Sequence, residues 1–203
     1  MLNPDLAAKI FSILYDDIDG YSISHAARRD LENKDDLLYG ELPFETWREI
    51  VIRADPKKDG VFFDVGSGTG RIVMLSHLLF DFKKTVGVEL LEGLYNKACE
   101  VKENFNNNIK PEIINHDLNR EIEFLHKNIF DVDLSSADFI FMNHPFKDRE
   151  LFELLEAKFL CELKPKTKIV TTIRSLKDKA FKSFGSKKYN FSWGESTAYF
   201  YEV

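Results

Sequence analysis

One short segment constrains the fold of this chain more than any other: a strand, a glycine-rich turn and a helix follow one another between residues 60 and 80. Residues 60–64 are mostly aromatic and β-branched, which is typical of a buried strand. The turn reads Val65-Gly66-Ser67-Gly68-Thr69-Gly70, and an apolar helix is predicted over residues 71–80. Glycines in such a turn let the backbone bend sharply and let a ligand approach without meeting a Cβ atom. The segment therefore predicts the first strand–helix unit of a ligand-binding α/β domain.

The rest of the chain continues this alternation of strands and helices. Further strands are predicted at residues 85–89, 112–114, 122–125, 137–142 and 168–173, and helices at 43–54, 91–106 and 150–163. The last stretch, 190–203, alternates around Gly194 and predicts an antiparallel hairpin. We expect an α/β fold with a mostly parallel sheet and an antiparallel C-terminal strand. Helices at 6–15 and 24–33 would form an N-terminal helical segment over residues 1–38, followed by the main domain at 39–203.

Composition narrows the class of protein. A chain of 203 residues with 44% hydrophobic and 31% charged residues suits one globular domain, and no apolar run reaches the roughly 18 residues that span a bilayer. Cys99 and Cys161 have no metal-ligand partner nearby in sequence, so we expect reduced thiols, no metal site and a cytoplasmic location. A net charge of −6 argues against a protein whose whole surface binds nucleic acid.

The charge is distributed unevenly along the chain. Residues 164–188 hold nine basic residues and one acid, a local charge of +8, and the remainder carries −14. Such a segment is either an ordinary solvated surface or a docking patch for an acidic partner or nucleic acid.

Two acidic residues indicate which cofactor the glycine turn binds. A dinucleotide-binding turn needs glycine or alanine at the sixth position counted from Gly66, and that position is Arg71. Asp64 ends the strand before the turn, where a carboxylate would repel a pyrophosphate and would suit an ammonium group. Glu89 ends the next strand, the position from which a carboxylate accepts ribose hydroxyls. This combination predicts S-adenosylmethionine, which carries an ammonium group and a ribose and has no phosphate.

A series of short motifs in a fixed order gives the chain a family resemblance. The motifs are Tyr39-Gly40-Glu41 with Phe44, the glycine turn, Gly87-Val88-Glu89, Phe141-Met142-Asn143 with Phe146, Leu163-Lys164 before Ile169-Val170, and Ser192-Trp193 with Tyr199. Over residues 37–203 the chain resembles the catalytic domain of the disruptor-of-telomeric-silencing histone lysine methyltransferases, which are non-SET enzymes. The resemblance implies a Rossmann-like, seven-strand class I methyltransferase fold.

The resemblance also implies roles for single residues. Glu41, Asp64 and the backbone of Gly66 and Gly68 would hold the methionine end of the cofactor, and Glu89 the ribose. Asn128 stands where the family has an aspartate for the adenine amino group, with Asp117 and Asp131 as rival candidates. Asn143 would lie beside the transferred methyl group. Phe146 and Tyr199 would line the substrate channel, so that these three are the expected catalytic residues.

Departures from the family leave the methyl acceptor open. The motif Asn143-His144-Pro145-Phe146 leans towards the Asn-Pro-Pro-aromatic motif of enzymes that methylate amino groups of adenine or glutamine, and Arg71 replaces an uncharged amide residue. We expect an N-methyltransferase acting on lysine in a non-histone protein. The alternatives are an enzyme acting on a nucleic-acid base or a glutamine amide, and a non-catalytic cofactor-binding scaffold.

Overall fold

The computed structural model describes residues 1–31, 36–113, 118–143 and 146–203 of the chain. The helices it contains are α1 (Pro4–Tyr15), α2 (Gly20–Arg28), α3 (Phe44–Ala54), α4 (Arg71–Leu79), α5 (Glu92–Asn104) and α6 (Arg149–Glu162). The strands are β1 (Gly60–Val65), β2 (Phe82–Glu89), β3 (Glu121–His126), β4 (Phe139–Met142), β5 (Lys168–Thr172), β6 (Lys182–Phe191) and β7 (Gly194–Glu202). Short π- and 3₁₀-helical turns lie at Phe105–Ile109, Lys110–Glu112 and Ile129–Asp131.

These strands form one seven-stranded sheet in the order β3-β2-β1-β4-β5-β7-β6. Strands β1 to β5 pair in parallel, and β7 pairs antiparallel with both β5 and β6. The predicted α/β fold with an antiparallel C-terminal end is therefore confirmed. The strand order reverses between β1 and β4, and ligands bind outside the carboxyl ends of the strands at such a switch point.

Each face of the sheet is covered by a hydrophobic layer. On one face, Trp47 of α3 is fully buried against Phe62, Phe139 and Phe141, and its indole N–H donates to Ser76 Oγ at 3.1 Å. On the other face, α6 packs Phe152, Leu155 and Phe159 against the inner residues of β1, β4 and β5. Both β1 and β4 are buried along their whole lengths, which explains why they are apolar except for Asp64 in β1.

The N-terminal helices pack on this core. Asn3 caps α1 by accepting the Leu6 N–H at 2.9 Å, and α1 buries Phe11 and Tyr15 in the same cluster as α3 and α4. Helix α2 lies against α5, where Ile23 and Ala27 approach Gly93. Helix α2 begins before the predicted residue 24 because Asp19 caps it by accepting the Ser22 N–H. It ends at Arg28, before the predicted residue 33.

Two local predictions were wrong. The expected strand at 112–114 lies partly outside the described residues, and Glu112 belongs to a 3₁₀ turn around Pro111, which lacks the N–H a strand would use. The C-terminal hairpin is longer than the predicted 190–203, because β6 starts at Lys182.

Candidate functional site

The carboxyl ends of β1, β2 and β4 surround a cavity of about 340 Å³. Its walls come from the glycine turn, the strand-end carboxylates, the segment 36–42 that precedes α3, and the residues that follow β3 and β4. The predicted site residues that line it are Glu41, Asp64, Gly66, Gly68, Glu89, Asn128, Asn143 and Phe146. Residues distant in sequence thus meet at one place, at the switch point of the sheet.

The glycine turn has the left-handed backbone that only glycine adopts without strain. The φ angles of Gly66, Gly68 and Gly70 are +78°, +56° and +81°. A Cβ atom on Gly66 would meet no atom within 4 Å, whereas one on Gly68 would lie 2.5 Å from the Tyr39 ring. Gly66 therefore leaves open space in the cavity wall, and Gly68 allows Tyr39 to close over the turn.

Asp64 is a buried carboxylate at the carboxyl end of β1. It is 2% exposed, and its Oδ1 atom has no hydrogen bond within the described residues. Burial, and secondarily the charge of Glu89, raises the pKa of Asp64 well above its usual value. An unpaired buried carboxylate costs free energy unless a ligand compensates it, and a cationic ammonium group would do so. The site therefore fits the amino-acid end of S-adenosylmethionine.

Glu89 is a buried carboxylate whose position is fixed by the backbone. Its Oε2 accepts the Gly68 N–H at 2.7 Å and its Oε1 accepts the Leu91 N–H at 2.8 Å. Burial raises the pKa of Glu89 despite these two donors. Each carboxylate oxygen keeps a further lone pair, so Glu89 can still accept the two hydroxyls of a ribose.

The segment Tyr39-Gly40-Glu41 forms the roof of the cavity through a polar network. The Tyr39 hydroxyl donates to Glu41 Oε1 at 2.8 Å and lies 3.0 Å from Thr69 Oγ1. Burial, followed by the nearby Glu41 charge, raises the pKa of Tyr39 above its usual value. The other oxygen of Glu41 lies 3.6 Å from Nε of Arg71. Tyr39 therefore remains a neutral donor that orients the Glu41 carboxylate.

The C-terminal hairpin holds the same segment from outside. Ser192 donates its N–H to the Glu41 carbonyl and accepts the Glu41 N–H on Oγ, both at 3.2 Å. The Trp193 ring rests on Gly40, where a Cβ atom would come within 2.4 Å of it. The Ser192 hydroxyl also lies 2.6 Å from the Tyr21 hydroxyl of α2. The motifs Tyr39-Gly40-Glu41 and Ser192-Trp193 of the family resemblance are thus in direct contact.

Asn143 is fixed in orientation at the end of β4. Its Nδ2 donates to the Gly40 carbonyl at 3.1 Å, and its Oδ1 accepts the Thr172 hydroxyl at 2.9 Å. Phe146, further along the cavity wall, stacks on Phe130 with ring centroids 5.9 Å apart. His144 and Pro145, which we expected to shape this turn, lie outside the described residues.

Asn128 and Tyr199 differ in their relation to the cavity. Asn128 lines it and caps a 3₁₀ turn by accepting the Phe130 N–H at 3.1 Å. Its rival Asp131 is exposed and does not line the cavity, and Asp117 lies outside the described residues. Tyr199 pairs with Thr171 of β5 and packs against the second core layer without lining the cavity. Its role in a substrate channel stays a prediction.

Four residues that matter to this site were not among the predicted ones. Tyr39 and Ser192 belong to the sequence motifs but have no predicted role, Thr172 belongs to none of the motifs, and Arg71 is a departure from the family. The one sequence signal for Arg71 was a cation in a turn that otherwise carries no charge after Asp64.

Much of the basic segment 164–188 is neutralised locally. Its ion pairs are Lys164 with Asp138, Lys168 with Glu202, Lys187 with Glu49 and Lys188 with Glu195, each at 2.7–2.9 Å. Within the described ranges, no cluster of three or more His, Cys, Asp or Glu side chains could hold a metal ion, and no helix is long and apolar enough to cross a membrane. Cys99 and Cys161 are free thiols.

The seven-stranded sheet has the class I methyltransferase fold, and solved methyltransferase structures align with the chain. The RNA methyltransferase from Salinibacter ruber in complex with S-adenosyl-L-homocysteine aligns with a TM-score of 0.57 at 21% identity, over 79% of this chain and 92% of that one. The magnesium protoporphyrin IX methyltransferase from Synechocystis PCC 6803 with bound SAM aligns with a TM-score of 0.58 at 11% identity, over 100% and 98%. At these identities the likeness concerns the fold alone.

Sequence comparison identifies the family. Residues 23–200 match the family described as "Histone methylation protein DOT1", and the chain belongs to it. A protein-lysine N-methyltransferase of Saccharolobus islandicus is 29% identical over 133 residues, which are 66% of this chain and 74% of that protein. The H3 lysine-79 specific histone-lysine N-methyltransferase of Caenorhabditis elegans is 31% identical over 136 residues, which are 66% of this chain and 14% of that protein. The predicted resemblance and the predicted cofactor, S-adenosylmethionine, are thereby confirmed, and the chain is a methyltransferase.

Proposed function

We propose that this protein transfers a methyl group from S-adenosylmethionine to the side-chain amine of a lysine in a protein substrate. The observation that carries the proposal is the fixed side-chain amide of Asn143 at the carboxyl end of β4, whose nitrogen donates to the Gly40 carbonyl and whose oxygen accepts the Thr172 hydroxyl. Two relatives of this chain are named as lysine N-methyltransferases, which supports lysine as the acceptor.

The cavity residues divide the cofactor between them. When bound, S-adenosylmethionine supplies a methyl group activated by attachment to a sulfonium. Asp64 would accept hydrogen bonds from the ammonium group through its unpaired Oδ1. Glu89 would accept the ribose hydroxyls on its remaining lone pairs. Asn128, which also lines the cavity, would face the adenine amino group.

The acceptor end must bind an amine and remove its proton. A lysine with a pKa near 10.4 costs roughly 4 to 5 kcal/mol to deprotonate at pH 7. The Phe130 and Phe146 rings lower this cost by keeping water from the ammonium form. Asn143 Oδ1 has one lone pair beyond the one used by Thr172, and it would accept an amine N–H and aim the nitrogen lone pair. Catalysis on this account is mainly positioning.

A second candidate is methylation of a nucleic-acid base or a glutamine amide. The motif Asn143-His144-Pro145-Phe146 favours it, and the Salinibacter ruber structure is named as an RNA methyltransferase. An argument against this candidate is that lysines of the basic segment 164–188 form intramolecular ion pairs, such as Lys187 with Glu49. These ion pairs reduce the positive charge available to bind phosphates. A non-catalytic cofactor-binding scaffold is the third candidate, and the complete set of Glu41, Asp64, Glu89 and Asn143 argues against it.

Transfer of a labelled methyl group separates the three candidates. The purified protein is incubated with methyl-labelled S-adenosylmethionine and a cell lysate, which is then divided into protein and nucleic acid. We expect label in protein, and we expect Asn143→Ala to abolish it while keeping cofactor affinity within about twofold, since the amide contacts the acceptor. Asn108→Ala, which removes an exposed asparagine on the π-helical turn, is the matched control. Label in nucleic acid alone, or full turnover by Asn143→Ala, would contradict the proposal.

A further inference from the structure

We propose that Arg71 binds the carboxylate of the methionine end of S-adenosylmethionine, so that Arg71 and Asp64 together recognise a free amino-acid group. The inference rests on the identity of the cofactor and is independent of which acceptor the enzyme methylates. At this position the chain has a cation where the family has an uncharged amide residue.

Arg71 is a cation with unused hydrogen-bond donors in the cavity wall. Its side chain is 19% exposed, its Nε is buried without a hydrogen-bond partner, and it donates no hydrogen bond to the described residues. Its nearest ion-pair partner, Glu41 Oε2, lies at 3.6 Å, beyond good hydrogen-bonding distance. Two side chains of opposite charge, Asp64 and Arg71, thus line one cavity with hydrogen-bonding capacity left over.

Helix α1 fixes the position of this guanidinium. The Arg71 guanidinium carbon lies 4.8 Å from the ring centroid of Phe11 and 4.8 Å from that of Tyr15. The Tyr15 hydroxyl in turn donates to the Thr69 carbonyl of the glycine turn at 3.2 Å. Contacts with two aromatic faces hold an arginine without consuming its N–H groups. The N–H groups therefore remain available to a planar anion.

The amino-acid end of the cofactor is the part that lies here. Arg71, Asp64 and Glu41 line the same cavity, and the charges of all three act on the buried Tyr15 hydroxyl. Arg71 is also the first residue of α4, whose amino end adds positive potential. Lys127, another cation of the cavity wall, lies beside Asn128 at the end we assign to adenine. A zwitterion of one ammonium and one carboxylate matches the pair formed by Asp64 and Arg71.

Paired ligands test this subsite without requiring turnover. Decarboxylated S-adenosylmethionine keeps the ammonium and sulfonium groups and lacks only the carboxylate. Calorimetry with wild-type protein should show S-adenosylmethionine binding about 10- to 100-fold more tightly, as expected for one charge-assisted bidentate contact. 5′-Methylthioadenosine, which lacks the whole amino-acid group, serves as a ligand that Arg71 does not touch.

Variants of Arg71 assign the preference to this side chain. Arg71→Gln, which restores the amide type of the family, should remove most of the preference for the carboxylated ligand and leave the affinity for 5′-methylthioadenosine within about twofold. Arg71→Lys should keep part of the preference, because an ammonium retains the charge without the fork. Melting of the free variants reports any loss of fold.

Two results would overturn the proposal. One is a wild-type protein that binds both cofactors equally, a comparison that requires no variant. The other is an Arg71→Gln protein that folds and loses affinity equally for both cofactors, which would make Arg71 only a structural partner of Glu41. Failure of methyl transfer to lysine would leave both binding results unchanged, so the two proposals fail independently.

Discussion

Replacing Asp64 by asparagine should stabilise the free protein and abolish tight cofactor binding. Asp64 is buried, its Oδ1 is unpaired, and Glu89 repels it. Its pKa in the folded protein lies above the unfolded value near 3.9. Ionisation therefore opposes folding, and the penalty is absent below the unfolded pKa and complete above the folded one. Asparagine removes this penalty and can donate an N–H towards Glu89.

The size of the effect follows from the cost of one unsatisfied buried polar group, about 1–3 kcal/mol. Asparagine recovers part of that cost, so we expect a gain of about 1–2 kcal/mol near pH 7. For a domain of this length, that corresponds to a rise in melting temperature of about 2–8 °C. Thermal melting followed by circular dichroism, with and without saturating S-adenosylmethionine, measures both effects. The cofactor should raise the melting temperature of wild type and leave that of Asp64→Asn unchanged.

Asp138→Asn provides the matched control at the amino ends of the strands, where Asp138 directly precedes β4. Asp138 is also buried, but it accepts the Val61 N–H at 2.9 Å and pairs with Lys164 at 2.9 Å. Although burial acts to raise it, these partners hold the pKa of Asp138 below its usual value. Its contribution to stability is present above the unfolded pKa and is lost as the pH falls, so Asp138→Asn should destabilise. A destabilised Asp64→Asn protein that still binds cofactor would refute the reasoning.

Three further predictions concern the cavity. Gly68→Ala should weaken cofactor binding at least about tenfold, because a Cβ would lie 2.5 Å from the Tyr39 ring at a φ of +56°. Gly93→Ala, whose Cβ would lie at ordinary contact distances from its neighbours, should bind the cofactor normally in the same titration. Thr172→Val should lower turnover about tenfold without changing cofactor affinity, since Asn143 loses its orienting donor. Thr167→Val, at the amino end of β5, is the control and should keep its turnover. Cofactor affinity should rise with pH across the raised pKa of Asp64, with protons released on binding. Calorimetry in two buffers of different ionisation enthalpy measures the proton release, and an affinity independent of pH would contradict the prediction.

The parts of the fold that sequence predicted are those with a local cause. Residues 60–70 combine an apolar strand with glycines that only a sharp turn requires, so the first strand–helix unit and its neighbouring carboxylates were recognisable. Strand β6 was underestimated because seven of its ten residues are exposed and polar residues fall on both faces, as suits a sheet edge. Its start at Lys182 follows from pairing with β7, which is a long-range property.

The contacts that shape the site were beyond local reasoning. Ser192 and Glu41 are 151 residues apart, and their hydrogen bond depends on how the hairpin meets the roof of the cavity. The clamp of Arg71 by Phe11 and Tyr15 depends on the packing of α1 on α4. Neither contact leaves a spacing pattern in one sequence. The family resemblance includes the motifs that contain Glu41 and Ser192, but a resemblance in sequence does not indicate that two motifs are in contact.

Transfer of the methyl group to a lysine amine is tested most directly by the chemical identity of the labelled product. After incubation with methyl-labelled S-adenosylmethionine and lysate, the protein fraction is hydrolysed in acid and its amino acids are separated. We predict label in methylated lysine, which survives hydrolysis, and none in a reaction with Asn143→Ala. Label released as methylamine, the product of a methylated glutamine amide, or found in nucleosides from the nucleic-acid fraction, would contradict the claim.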